Sequence, residues 1–335
     1  MSLTSIDWNV TRPNAANGAD ATEAERQALM IEEFTGDVEG TIQRRSVLEA
    51  HIPVRSVQGT STFTNHAVGK STLQKVVPGQ ALDGIKSDFA KNSVTVDTVI
   101  AAREFFPLLE TFQTKMDVRK EVANEQGKEI AKFFDNATII QAIKAARLTE
   151  SAYSMGKAGR PKGHSGGGVI GLATADRADP DKLYAALKEA MKSMQLMDVD
   201  PREDGAMILL SPEYYHVLLD SEKLINMNYV TSAGNQVNDG WVLKAIGVPV
   251  IQTNNIPQSV ITGHHLTTEF NNFDGDFSKT VASIFTPRAI MAGATIPVTS
   301  DVFYDRIFKS WVVDSHLSFA VGPNRAEFAR EIALI

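Results

Sequence analysis

The feature that most constrains this chain is a long stretch without a helix breaker. From Asp117 to about Arg147 there is no proline, and Val118, Val122, Ile130, Phe133, Phe134, Ala137, Ile140 and Ile143 recur at spacings of three and four. That periodicity predicts one helix over 117–147, about 45 Å long at 1.5 Å per residue. Such a helix serves as a spine for the elements around it. Gly127 is its weak point: an interior glycine costs about 1 kcal/mol relative to alanine, so a close packing contact is expected there.

Upstream of the spine, residues 1–20 are rich in Asn, Gly, Pro and Ala and read as a loose arm. Thr22 with Glu25 resembles a capping box, which would start a short helix through Phe34. Charge is concentrated here. The chain of 335 residues has a net charge of −7, and residues 1–40 carry −6 of it: Asp7, Asp20, Glu23, Glu25, Glu32, Glu33, Asp37 and Glu39 against Arg12 and Arg26. The remainder is near neutrality and has no concentrated basic footprint, which argues against a sequence-specific reader of nucleic acid. No apolar run approaches the roughly 20 residues that span a bilayer. The first residues lack the layout of a secretory signal, and there are no cysteines for disulfides or thiolate metal sites. A soluble, cytoplasmically made protein is expected.

Two stretches between arm and spine favour β-branched residues, Val54 to Phe63 and Val94 to Ile100. In the second, Val94, Val96, Thr98 and Ile100 share one face, which predicts one strand with a single apolar side. Gly59, Gly69, Pro78, Gly79 and Gly84 lie between them among Ser and Thr. The expectation is a long, twisted hairpin with little core of its own. After the spine comes a glycine-rich stretch over 156–171. Asp179-Pro180 then provides a cap and first turn for a helix to about Met194. "GAMILL" predicts a buried strand and Ser211-Pro212 a second helix. "VLKAIGVPVIQTNNIP" predicts a turn and a strand, "KTVASIFTPRAIMAG" more strand, and "WVVDSHLSFAV" a strand by alternation.

Three motifs invite a chemical reading. Gly69-Lys70-Ser71 has the ending of a phosphate-binding loop, but Thr64 stands where the loop needs its first glycine. The flanks are Ser/Thr-rich rather than a buried strand and a helix, so the stretch reads as a hairpin turn. Gly166 to Gly171, "GGGVIG", matches a dinucleotide fingerprint in letters alone. No strand is expected before it and no helix opens on it, so it reads as a flexible loop. "FDGDFS" has Asp274 and Asp276 around Gly275 but lacks the further acids of a calcium loop, and reads as a surface turn. His264 and His265 are adjacent and so point apart, unlike a metal-binding pair. His51, His66, His164, His216 and His316 have no ligand spacing. The expectation is no catalytic, cofactor-binding or metal-binding residue.

Several runs together bring a family into view. Val54-Arg55-Ser56-Val57, then Gly59, Phe63, Gly69 and Pro78-Gly79 with Leu82, resemble the extended loop of the major capsid proteins of short-tailed bacteriophages. Asp117-Val118-Arg119 opening the spine, Gly127 within it, "SPEYYHVLL", "AIGVPVIQTNNIP" and the closing "VGPNRAE" resemble the same family, in its order, over about residues 36–330. The resemblance implies an α+β chain of the Hong Kong 97-type capsid fold. Residues 1–52 would form an amino-terminal arm and 53–98 the extended loop. Residues 99–178 and 300–335 would form a peripheral domain around the spine 117–147, and 179–299 an axial domain. It implies a non-enzymatic coat subunit without cofactors that assembles with itself into hexamers and pentamers. The partners implied are a scaffolding protein, a portal and, non-specifically, packaged double-stranded DNA. It would be located in the virion, after assembly in the bacterial cytoplasm. An encapsulin-type compartment shell is the alternative within the fold, and a nucleotide-using enzyme the alternative outside it. Some capsids of this fold join a loop lysine to a neighbour's asparagine. Lys70 or Lys75 with Asn324 could take those roles, but no motif supports this, and a non-covalent shell is expected.

Overall fold

In the computed structural model the residues described are 37–42, 46–68, 73, 75, 79, 84, 89–107, 118–151, 153, 165–221, 230–231, 234–235 and 244–335. The helix expected over 22–34 lies outside them. Chain contacts define two compact units. One comprises residues within 1–45, 101–130 and 298–317; the other comprises 46–100, 131–297 and 318–335. The spine is present as α1, Val118–Arg147, with its first part in one unit and its remainder in the other.

In the first unit, residues 37–42 are helical and lie against the start of α1. Gly127 is explained there. A Cβ added to it would sit 2.8 Å from the Thr41 Cβ and 3.0 Å from the Val38 carbonyl, closer than real side chains approach. The Thr41 hydroxyl donates to Asn124 Oδ1 at 2.8 Å. Parts of three strands belong to this unit, β4 (Ile100–Pro107) from residue 101, β14 (Ile290–Asp305) from residue 298 and β15 (Ser310–Pro323) up to residue 317, in the order β14-β15-β4. Arg103 on β4 is paired with Asp314 on β15. The buried hydroxyl of Ser315 donates to Gln126 Oε1 of α1 at 2.7 Å. Burial along β15 is nearly continuous rather than alternating, because both of its faces are covered.

The core of the second unit is a six-stranded sheet, ordered β5-β16-β13-β6-β10-β9. Its strands are β5 (Gly168–Leu172), β6 (Met207–Leu210), β9 (Lys244–Ala245), β10 (Val248–Gln252), β13 (Thr280–Phe285) and β16 (Ala329–Leu334). β5 is parallel to β16 and β10 to β6; the other pairings are antiparallel. The sheet takes strands from both sides of the boundaries expected at 178/179 and 299/300. β9 turns into β10 through Ile246 and Gly247, both at positive φ, which is the geometry of a tight two-residue hairpin.

Helix α2 (Pro180–Gln195) packs on β5 and β16, and Asp179 caps it by accepting from the Asp181 and Lys182 amides. It buries Leu183, Ala186, Leu187, Ala190, Met191 and Met194, a stripe at three- and four-residue spacing. The fully buried Arg330 of β16 fastens α2 down: its Nε donates to Ser193 Oγ at 2.8 Å, and its terminal nitrogens donate to the carbonyls of Ser193, Glu327 and Ala329. α3 (Pro212–Leu219) follows Ser211 as expected.

Two expectations need correction. The strand expected through 94–100 is broken: β3 covers Phe89–Thr95, residues 96–99 are irregular, and β4 starts at Ile100. The break is fixed by packing. Val96 is buried with Phe63 and Met291, while the Thr98 carbonyl accepts from Ser318 Oγ at 2.8 Å instead of joining the hairpin ladder. The run 166–171 is not a flexible loop. Gly168–Leu172 is strand β5, and Gly166 and Gly167 pass so close to the carboxyl end of α1 that an added Cβ would come within 2.4 Å of the Thr149 and Ala146 backbone. These glycines allow the chain to cross a helix end and enter a sheet edge.

The end of α1 in this unit is pinned by charge. The Arg147 guanidinium makes a two-pronged contact with Glu331, at 2.6 and 2.7 Å, and Thr280 Oγ1 donates to the same carboxylate at 2.7 Å. Glu331 is fully buried, so removing it leaves a half-buried guanidinium without its carboxylate and the Thr280 hydroxyl without its acceptor. Breaking a buried pair from one side costs about 3–5 kcal/mol. Glu331→Ala should therefore lower the denaturant midpoint of the isolated subunit by that equivalent, read by circular dichroism; an unchanged midpoint would show that the pair does not hold the spine.

Candidate assembly surface

The hairpin before the spine is formed by β2 (Thr62–Val68) and β3, paired antiparallel from Thr62↔Thr95 to Val68↔Phe89. Thr64, the residue in the first-glycine position of the phosphate-loop frame, lies opposite Ser93 in mid-ladder. Gly69, Lys70, Ser71 and Thr72 lie outside the described residues.

Alternation in β2 turns Phe63 and Ala67 to one face, where they are buried, and Val94 joins them from β3. With Val57, Val96, Met291 and Ala320, Phe63 and Val94 form an apolar cluster. Two glycines make room for it. A Cβ on Gly293 would lie 2.6 Å from the Phe63 ring, and one on Gly322 2.4 Å from a Val94 methyl. Two polar contacts flank the cluster: Asn65 Nδ2 donates to Asn324 Oδ1 at 3.0 Å, and Asn92 Nδ2 to the Pro323 carbonyl at 2.7 Å. The hairpin base is thus fixed to β14 and β15 of its own subunit.

Anchorage ends within one more residue pair. Val68 and Phe89 face each other across the ladder and are 56% and 76% exposed, and Leu73 beyond them is 99% exposed. An exposed cross-strand apolar pair at the end of the described ladder of an anchored hairpin is a candidate contact surface. A second exposed apolar element lies in the other unit. Ile307 and Phe308 project from the β14–β15 turn, where Asp305 Oδ1 accepts from both of their amides. Nothing in the sequence reading singled out that turn, although Ile307-Phe308 between Arg306 and Lys309 is an apolar pair in a charged loop.

Beside the hairpin base is a cleft of about 330 Å³, lined in part by Pro53, Arg55, Asn65, Arg288, Asn324 and Arg325. Asn324, the asparagine considered for a crosslink, is buried in its wall. Its Oδ1 accepts from Asn65 and from the Tyr153 hydroxyl, and its Nδ2 donates to the Arg288 carbonyl at 3.1 Å. Burial raises the Tyr153 pKa above that of an ordinary phenol, which keeps it a donor.

His264, Asp274 and Asp276, also singled out, have structural work. His264 stacks between Phe133 at 5.4 Å and Phe273 at 5.0 Å, and burial lowers its pKa. Asp274 accepts from the His264 and Gly263 amides and the Thr267 hydroxyl, and Asp276 from Ser278; these hydrogen bonds hold both carboxyls below the usual range. The two acids brace turns. Among the described residues no three His, Asp or Glu side chains come together as metal ligands would.

Comparison with known proteins follows this geometry closely. The family model described as Gp10A-like, major capsid protein, matches residues 67–292. The major capsid protein of Escherichia phage T7 is 24% identical over 132 residues, 39% of this chain and only 38% of that protein. Two solved structures superpose with a TM-score of 0.72. One is the mature capsid of bacteriophage PhiM1, at 23% identity over 86% of this chain and 87% of that one. The other is the capsid of cyanophage P-SCSP1u, at 19% identity over 85% and 86%. The fold is the Hong Kong 97-like α+β fold of phage capsid subunits.

An asparagine held by three hydrogen bonds in a cleft wall is poorly placed for attack by a lysine. Particles boiled in detergent should run as a single band near the 36.5 kDa of one chain; a ladder of multimers would overturn this.

Proposed function

Because the chain belongs to the Gp10A-like major capsid protein family, we propose that it is the shell-forming subunit of an icosahedral phage head, assembling with itself into hexamers and pentamers. The observation that carries this reading is the hairpin that is anchored at Phe63 and Val94 but carries exposed apolar residues at Val68 and Phe89. An isolated two-stranded hairpin is marginal in water. Burying a phenylalanine side chain contributes about 1.5–3 kcal/mol, so a neighbouring subunit that covers this pair stabilises both partners. Repeated around a closed shell, such a contact makes assembly cooperative without a strong interface at any one point.

On this reading residues 1–52 form an arm, 53–98 the extended loop, 99–178 with 300–335 a peripheral domain, and 179–299 an axial domain. The shell encloses double-stranded DNA without gripping it, in keeping with a chain near neutrality outside its arm. A scaffolding protein and a portal are the expected assembly partners, with assembly in the host cytoplasm and residence in the virion. A compartment shell of the encapsulin type has no support from the family match. The glycine-rich run at 166–171 serves packing in β5, which takes away the support that run lent to a nucleotide-using enzyme.

The decisive variant changes the contact and not the fold. Phe89→Asp puts a charge on an exposed strand position and should alter the stability of the free subunit by no more than about 0.5 kcal/mol. The same variant should strongly reduce closed shells in negative-stain images. If Phe89→Asp instead unfolds the subunit, or shells form normally, the hairpin is not the assembly element.

A further inference from the structure

The cleft beside the hairpin base is lined in part by three arginines, of which two have an acidic partner among the described residues. Arg288 is met by Asp204 at 3.1 Å and Arg325 by Glu327 at 2.7 Å. Arg325 also lies over the Phe328 ring at 4.7 Å, which fixes its plane. Arg55, exposed on β1 (Val54–Ser56), has no ion-pair partner among the described residues. An arginine cannot shed its charge, and its planar fork is suited to a carboxylate. A cleft of about 330 Å³ admits a few side chains. It lacks the extended cationic track that makes a strong contact with a nucleic-acid backbone, where six to ten phosphate contacts are typical.

The same chain carries the matching anion. Its first 40 residues bear a charge of −6, including the runs Glu23, Glu25 and Glu32, Glu33. In a closed shell these segments crowd together and repel unless each meets a cation. Glu23 lies fourteen residues before Asp37 and Glu33 four, so an extended chain carries these carboxylates about 45 and 13 Å outward from Asp37. Resting on the coat reading above, we propose that the Arg55–Arg288–Arg325 cleft receives carboxylates of the amino-terminal segment of a neighbouring subunit. Filling the cleft from a neighbour neutralises the segment only when copies come together, so the electrostatic gain is coupled to assembly. The hairpin base then acts as a double anchor: it fixes the loop that reaches out and holds the segment that arrives.

The absence of cysteines makes the test clean. Full-length chains carrying Arg55→Cys with one of Glu23→Cys, Glu25→Cys, Glu32→Cys or Glu33→Cys are assembled, oxidised and run on non-reducing denaturing gels. The expected result is a ladder of disulfide-linked multimers for at least one pair, in shells but not in free subunits, reversed by reductant. A fast-migrating monomer alone would mean that the segment occupies its own cleft, and no crosslink in any pair would mean that it does not reach the cleft; either overturns the proposal. Charge reversal supplies an independent readout. Arg55→Glu should raise the subunit concentration needed for half-maximal assembly about tenfold, the equivalent of one charge-assisted contact. Glu32→Lys with Glu33→Lys in the same chain should restore it. A defect that is not rescued, or that appears only when DNA is present, would overturn the proposal, the latter in favour of a phosphate site. Unaltered chains scored in parallel for closed shells report on the coat reading separately.

Discussion

A strand pair can project from a protein only if something holds its root, and here two missing side chains do that. The Phe63 ring occupies the space above Gly293, and the Val94 methyl the space above Gly322. Any side chain at either glycine would push the hairpin off β14 and β15. Asn65 and Asn92 then fix its register by hydrogen bonds to Asn324 and the Pro323 carbonyl. The root is rigid, and three pairs beyond Asn65 and Asn92 the ladder exposes the apolar side chains of Val68 and Phe89, so the hairpin is a lever with one end set. That is the form required of an element whose stabilisation comes from another subunit.

Other parts of the second unit are fixed by comparable long-range pins. Asp135, almost wholly buried on α1, accepts hydrogen bonds from the Ser46 hydroxyl, the Val47 and Leu48 amides and the Asn255 side chain. Burial pushes its carboxyl above the ordinary range while these bonds pull it back. Residues 46–48 are thereby tied to the spine just before the hairpin begins. At the end of the same helix, Lys144 donates to the carbonyls of Asn272 and Asp274, and Arg147 grips Glu331. A polar pin costs desolvation, and its return is geometric: each one has a single satisfied arrangement, which a purely apolar contact would not impose.

Much of this was legible locally. The spine was expected over 117–147 and runs Val118–Arg147, because its apolar periodicity is sustained for eight turns without proline. Asp179-Pro180 marked the start of α2 and four consecutive apolar residues marked β6, since caps and buried strands are written in adjacent letters. The hairpin was legible as well, but its anchorage was not. Whether a glycine is a turn residue or a vacancy for a ring depends on a partner more than 200 residues away, as Phe63 is from Gly293 and Val94 from Gly322. The same blindness made "GGGVIG" read as a loop: its pairing partner, Arg330–Leu334, lies some 160 residues downstream. The break at 96–99 escaped for a related reason, because alternation continued through it while the Thr98 carbonyl turned to Ser318 of β15. Asn324 was singled out for a crosslink, yet nothing adjacent to it in sequence shows that Asn65, Tyr153 and Arg288 enclose it.

The central claim is that this chain exists to bind copies of itself. Size-exclusion chromatography of the purified full-length protein, with negative-stain microscopy of each peak, tests it most directly. The account predicts closed shells or hexameric and pentameric capsomers as the material is concentrated. A small oligomer that stays small at every concentration, and that turns over nucleotide, would contradict it.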